Sequence, residues 1–350
     1  MIAVPRYLAA GALSAVLISL NAGCRRDGGT VPVSNDVGRA GTETRPSKQT
    51  FVYKAVGNTA IKADVYRLAG DDLRPVIVWI HPGALIMGSR DMLPEDERER
   101  FLEEGYVIVA IDYRLAPETK LPEILEDVED AHRWVREKGP TLFHIDPKRV
   151  AVVGASGGAY LALMAGARVE PSLKAVISFY GYGDIAGAWF SRPDTFYLTQ
   201  PRVAKADAYG AVGTQVLSES PPTTRNAFYV YCRQNGLWPR EVVGFDPDTE
   251  SERFASYNPE RLVTPAYPPT LLLHGDKDVD VPFEMSERMA AVFEHQRVAH
   301  QLYRLKGLNH AFDVFPDYPP QGPPTAGLKR PQVAEAFEVV LSFLATHLGS

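Results

Sequence analysis

From residue 50 onward, short apolar runs alternate with longer stretches of helical periodicity. Phe51–Val56 and Ile61–Tyr66, the second alternating apolar and polar, predict an antiparallel opening hairpin. Val76–Ile80, Val107–Ile111, Val150–Val153, Ala175–Phe179 and Thr270–Leu273 are continuous β-rich runs, the pattern of strands covered on both faces. Gln301–Leu305 is a weaker candidate for the last strand. Between these runs, Glu95–Glu104 is charged and amphipathic, and Pro122–Lys138 places Ile124, Val128, Ala131 and Val135 on one face. Gly157–Arg168 is small and apolar, and Pro282–Gln296 and Gln332–His347 also read as helices. Such alternation predicts an α/β fold, a mostly parallel sheet of about eight strands with helices on both faces.

Three segments depart from this rhythm. Residues 181–269 are rich in aromatics, Pro and Gly, and an insertion of that length is expected to be a cap or lid on a domain spanning 49–350. Its aromatics, among them Trp189, Phe190, Phe228 and Trp238, either line an apolar cleft or form the cap's own core. Phe315–Pro331 is Pro-rich and predicts a surface loop before the last helix. At the other end, residues 1–24 combine Arg6, an apolar run from Leu8 to Leu20, and Asn21-Ala22-Gly23-Cys24. That run is too short to span a bilayer and suits a secretory signal, so the chain is expected to be exported. The Ala-Gly-Cys ending resembles a bacterial lipobox, which implies lipidation of Cys24 and a periplasmic or cell-surface lipoprotein, although Asn21 stands where Leu is usual. An ordinary cleaved signal, with Cys24 removed or left as a free thiol, would give a secreted protein instead. Residues 25–48 are polar and without periodicity, and read as a flexible tether.

Composition narrows the function. With 37 Lys and Arg against 43 Asp and Glu, the net charge is −6 and no basic block stands out, which argues against a nucleic-acid partner. Cys24 and Cys232 are the two cysteines, too few for a disulfide framework or a Cys-rich zinc site, and Cys232 is expected to be a small buried hydrophobe.

The chemistry is carried by Gly154-Ala155-Ser156-Gly157-Gly158, a G-x-S-x-G set between a predicted strand and a predicted helix. So sharp a strand-to-helix turn strains the serine backbone, excludes side chains at the flanking glycines and lifts the hydroxyl above the sheet. A hydroxyl is a poor nucleophile until a base, oriented by an acid, takes its proton. Both follow in the order Ser, Asp, His. His274-Gly275-Asp276-Lys277-Asp278-Val279-Asp280 follows one predicted strand, and Gly307-Leu308-Asn309-His310 follows the next. His310 is the candidate base and Asp278 the favoured acid, with Asp276 and Asp280 read as solvated loop charges and His81 and His274 as structural. After the third strand, His81-Pro82-Gly83-Ala84 offers the N–H groups of Gly83 and Ala84, with that of Gly157, as an oxyanion hole.

Together these residues resemble the α/β-hydrolase superfamily. Asp112-Tyr113-Arg114-Leu115-Ala116-Pro117-Glu118 is similar to the DYRLAPE motif of hormone-sensitive-lipase-like esterases, and His81-Pro82-Gly83-Ala84 stands where their HGGG does. Ala155 replaces their usual acidic residue, and GASGGAY and HGDKDVDVP look closer to prolyl-oligopeptidase-like hydrolases. The resemblance implies a Ser156–His310–Asp278 hydrolase of small carboxylic esters that needs no metal or organic cofactor. Asp112 and Arg114 would brace loops beneath the site. A peptidase of short peptides, or a catalytically silent binding protein of the same fold, would share these motifs. Oligomeric state is left open, and any membrane contact would run through a lipid on Cys24.

Overall fold

The computed structural model describes residues 46–316, 318 and 327–349. The expected signal, Cys24 and most of the expected tether lie outside the described residues. Eight strands form one sheet: β1 (Ser47–Val56), β2 (Thr59–Arg67), β3 (Arg74–Ile80), β4 (Val107–Ile111), β5 (Ile145–Ala155), β6 (Ala175–Phe179), β7 (Thr270–Gly275) and β8 (His300–Leu305). Their spatial order is β1-β2-β4-β3-β5-β6-β7-β8. The β1–β2 and β2–β4 pairs are antiparallel and all the others parallel. This is the predicted α/β architecture.

Successive side chains of a strand point to opposite faces, so the continuous apolar runs feed two cores at once. In β3, Val76, Val78 and Ile80 enter one cluster with Val128 and Leu161, while Ile77 and Trp79 enter another with Phe101 and Phe337. Helices α1 (Glu95–Glu103), α2 (Leu121–Phe143) and α3 (Gly157–Arg168) supply three of those partners. Each such residue taken fully out of water contributes about 1.5–3 kcal/mol.

Between β6 and β7 the insertion folds as short helices: α4 (Ala188–Ser191), α5 (Thr195–Leu198), α6 (Lys205–Gly210), α7 (Pro222–Asn235), α8 (Trp238–Val243) and α9 (Pro259–Leu262). Phe190, Phe228 and Trp238 are buried, and the Phe190 and Trp238 rings stack 4.1 Å apart, so these aromatics form the insertion's own core. Cys232 is buried among them. Helices α10 (Glu284–Gln296) and α11 (Pro331–Leu348) complete the fold.

Two of the differences from the expected boundaries have a clear physical cause. β1 starts at Ser47, inside a stretch read as tether, because an edge strand whose side chains face water carries no apolar signal. α2 runs past Lys138 through Gly139 and Pro140 to Phe143. Proline forfeits one helical hydrogen bond, but burial of Phe143 keeps the last turn in place, and a Cβ on Gly139 would lie 2.7 Å from Ile145 Cγ1.

Candidate active site

β5 ends at Ala155 and α3 begins at Gly157, so the chain reversal falls on Ser156, at φ 53° and ψ −120°. A non-glycine residue in such a conformation costs about 1–3 kcal/mol and persists only where its surroundings hold it. The Ser156 N–H donates to the Phe179 carbonyl at 2.9 Å, and the Ser156 carbonyl accepts from Ala159 and Tyr160 at 2.9 and 3.0 Å. The neighbouring glycines make the turn sterically feasible. A Cβ on Gly154 would sit 2.2 Å from the Gly158 carbonyl oxygen, and one on Gly158 2.2 Å from that of Ile80.

The loops after β7 and β8 bring Asp278 and His310 to this hydroxyl. Asn309 Oδ1 ties them together, accepting from the N–H groups of Val279 at 3.0 Å and His310 at 2.8 Å. His310 Nδ1 lies 2.7 Å from Asp278 Oδ2, and its Nε2 lies 3.0 Å from Ser156 Oγ. A carboxylate only accepts, so Nδ1 carries the ring proton and Nε2 is free to accept from the serine. Asp278 Oδ2 also accepts from His274 Nε2 at 3.1 Å, and Oδ1 accepts from the N–H groups of Asp280 and Val281 at 2.9 and 2.8 Å. Burial works against the ionised form of Asp278, but the His310 and His274 side chains outweigh it and hold the acid well below the usual carboxylate range. Burial likewise opposes the His310 imidazolium, yet Asp278, then Asp280 and Asp313, raise His310 above an ordinary imidazole.

Against the start of α3 lies the loop after β3. Gly83, at φ 117°, and Ala84, at φ 55°, turn it sharply, with the Gly83 carbonyl accepting from Ile86 and Met87 at 2.9 and 3.0 Å. A Cβ on Gly157 would come within 2.9 Å of the Ala84 nitrogen, so the loop after β3 packs directly against the start of α3. An N–H at the first helical position has no acceptor inside its helix, which leaves it for an incoming oxygen. Trp238 of α8 donates from Nε1 to the Ala84 carbonyl at 3.0 Å. His81 stacks on Tyr113 with ring centroids 4.1 Å apart, and burial pulls its pKa down to about 4, so it is a neutral structural group. Asp112 pairs with Arg90, and Arg114 grips Asp127 through Nε at 2.7 Å and Nη2 at 2.8 Å, which braces the loops.

Ser156, His310 and Asp278 are thus brought together, and Ala84 of the loop after β3 packs against Gly157, the residue after Ser156; nothing comparable among the described residues places Gly83 at the site. The acids flanking Asp278 need correction. Asp276 is not a solvated charge, since it accepts from the Gly307 N–H at 2.7 Å and pairs with Arg304 at 2.9 Å. Asp280 is 4% exposed and sits among Tyr197, Tyr229, Tyr318 and Arg233, a cluster absent from the sequence reading. Those partners lie 38 to 83 residues away, so the local pattern holds no trace of them beyond the four-residue spacing of Tyr229 and Arg233 on one face of α7. Among the described residues, no group of three or more His, Cys, Asp or Glu side chains could hold a metal ion.

Residues 63–293 match the family model described as BD-FAE. A non-reducing polyketide synthase of Preussia isomera is 31% identical over 301 residues, covering 76% of this chain, and this chain spans only 14% of that protein's length. Among solved structures, an α/β-hydrolase superfamily protein from Enterococcus faecalis superposes with a TM-score of 0.66 at 22% identity, covering 86% of this chain and 99% of its own. EstE1, a thermostable carboxylesterase cloned from a metagenomic library, superposes with a TM-score of 0.61 at 22% identity, covering 88% and 90%. At these identities the structural likeness is one of fold.

Proposed function

The chain belongs to the BD-FAE family, with the α/β-hydrolase fold, and on that premise we propose that it is a serine hydrolase of carboxylic esters. Ser156 Oγ attacks the ester carbonyl as His310 Nε2 takes its proton. The carbonyl oxygen, now negative, is met by the N–H groups of Gly157, Ala84 and Gly83. The C–O bond to the alcohol then breaks, and His310 returns the proton to the departing alkoxide, leaving an acyl-Ser156. Water, deprotonated by the same imidazole, attacks that acyl group and frees the acid and the serine. Asp278 keeps the imidazole in the required tautomer and offsets its charge when protonated.

The observation that carries this reading is the continuous path Asp278 Oδ2–His310 Nδ1 at 2.7 Å and His310 Nε2–Ser156 Oγ at 3.0 Å, ending on a strained strand-to-helix turn. A fluorophosphonate probe and a panel of p-nitrophenyl esters and aminoacyl-naphthylamides test it. Wild type is expected to label and to prefer esters, and Ser156→Ala to abolish labelling and lower turnover by at least about 10⁴-fold. Wild type that neither labels nor hydrolyses would leave a binding protein of the same fold. A preference for the naphthylamides would make it a peptidase. We further propose that the chain is exported and that Cys24 carries a lipid.

A further inference from the structure

We propose that Asp280 is a positioning residue for this reaction, its buried carboxylate steadying the His310 imidazolium from the Nε2 edge while Asp278 does so from Nδ1. The inference deepens the esterase reading and rests on it. Asp280 Oδ2 stands 3.7 Å from His310 Nε2, too far for a hydrogen bond and close enough for strong charge attraction inside a buried site. Distance matters here. A carboxylate in hydrogen-bond contact with Nε2 would compete with Ser156 for the base, whereas one held just beyond contact favours the cation without capturing its proton.

The surroundings of Asp280 hold it at that distance. Oδ1 accepts from Tyr197 Oη at 2.9 Å, Tyr229 Oη at 2.7 Å and Arg233 Nη1 at 3.0 Å, and Oδ2 accepts from Tyr318 Oη at 2.7 Å. Arg233, 1% exposed, is itself fixed by Asp194 at 2.8 Å and the Asp280 carbonyl at 3.0 Å, with its guanidinium 4.9 Å from the ring centroids of both Phe190 and Tyr197. Such a buried, multiply held carboxylate is far from the default for a loop acid beside a catalytic one. Three of its partners come from the insertion, so α5 and α7 are joined through Asp280 to the base.

Other groups also face the imidazole. Asp278 lies on Nδ1, with His274 sharing its carboxylate. On the loop that carries His310, Asp313 accepts from Tyr180 Oη at 2.6 Å, and its carboxyl interacts with that of the buried Glu97 of α1. The Tyr180 and Tyr318 rings meet the imidazole edge-on, at 4.6 and 5.3 Å. Of the acids, Asp280 alone is paired with His310 at Nε2, the nitrogen whose proton moves.

Two variants test the assignment by moving His310 in opposite directions. Asp280→Asn keeps the shape and removes the charge, so the imidazolium is less favoured. The midpoint of His310, read by ¹⁵N-histidine NMR and by the acid limb of kcat/KM for p-nitrophenyl acetate, is expected to fall by about one pH unit. Tyr318→Phe removes the hydroxyl that partly neutralises Oδ2, and the midpoint is expected to rise by a few tenths of a unit. A purely structural Asp280 would lower stability without these opposed shifts. Midpoints unchanged in both variants would overturn the inference, and if Asp280→Asn does not fold, an unmoved or lowered midpoint in Tyr318→Phe does so alone. The NMR titration needs no turnover, so it judges Asp280 even where fluorophosphonate labelling has gone against the esterase reading.

Discussion

His310 is buried beside three carboxylates, and its basicity is decided by the contest between lost hydration and gained attraction. Asp278, Asp280 and Asp313 win, raising it above the ordinary value of 6.5. In the proposed mechanism the base must be neutral to accept the Ser156 proton, so activity is expected to be lost as pH falls through the raised value and retained above it. The kcat/KM profile of the wild type on a non-ionising ester is therefore expected to show an acid-limb midpoint above 6.5, measured at constant ionic strength. A midpoint below that value would mean that burial, not the carboxylates, governs the imidazole. At this scale the sequence was a good guide to which side chains meet, Ser156, Asp278 and His310, because motif order and position after a strand are local signals. It was a poor guide to Asp280, two residues from the acid, because the hydroxyls and guanidinium that bury it come from α5, α7 and the segment around Tyr318.

At the scale of elements, the site is assembled from strand ends. β3, β5, β7 and β8 run parallel, so the residues following each lie along one edge of the sheet. The periodicity that marks those strands therefore also announces where the proposed site gathers. What it does not announce is how the insertion supports the loop after β3. Trp238, 154 residues beyond Ala84, donates to that residue's carbonyl and stacks on Phe190. Trp238→Phe would keep the ring in the stack and remove the donor. It is expected to lower kcat about 3- to 10-fold with KM nearly unchanged, corresponding to the roughly 0.5–1.5 kcal/mol of one hydrogen bond. An equal loss in kcat together with a large rise in KM would point to a disturbed pocket instead of a displaced Ala84.

On the scale of the whole molecule, the eight strands from Ser47 onward form one sheet, and helices cover a core on each of its faces. Cys24, the residue proposed to carry a lipid, is not among the described residues, and no helix among those is long and apolar enough to cross a membrane. Cys24→Ser is accordingly expected to move the protein from the membrane to the soluble fraction on cell fractionation, while kcat/KM for a short-chain p-nitrophenyl ester stays the same. Retention at the membrane would remove Cys24 from the account and leave the hydrolase reading untouched. By itself the sequence determined the fold class and the order of strands and helices, and it singled out Ser156, Asp278 and His310, which the fold brings within hydrogen-bond reach, because apolar periodicity and tight-turn glycines are local consequences of backbone sterics. The tertiary structure alone decided that β1 begins within a polar stretch, that the insertion's aromatics form its own core and that Asp280 is buried against His310. Those outcomes depend on which distant side chains supply hydroxyls, charge and cover, and no short window of sequence contains that information.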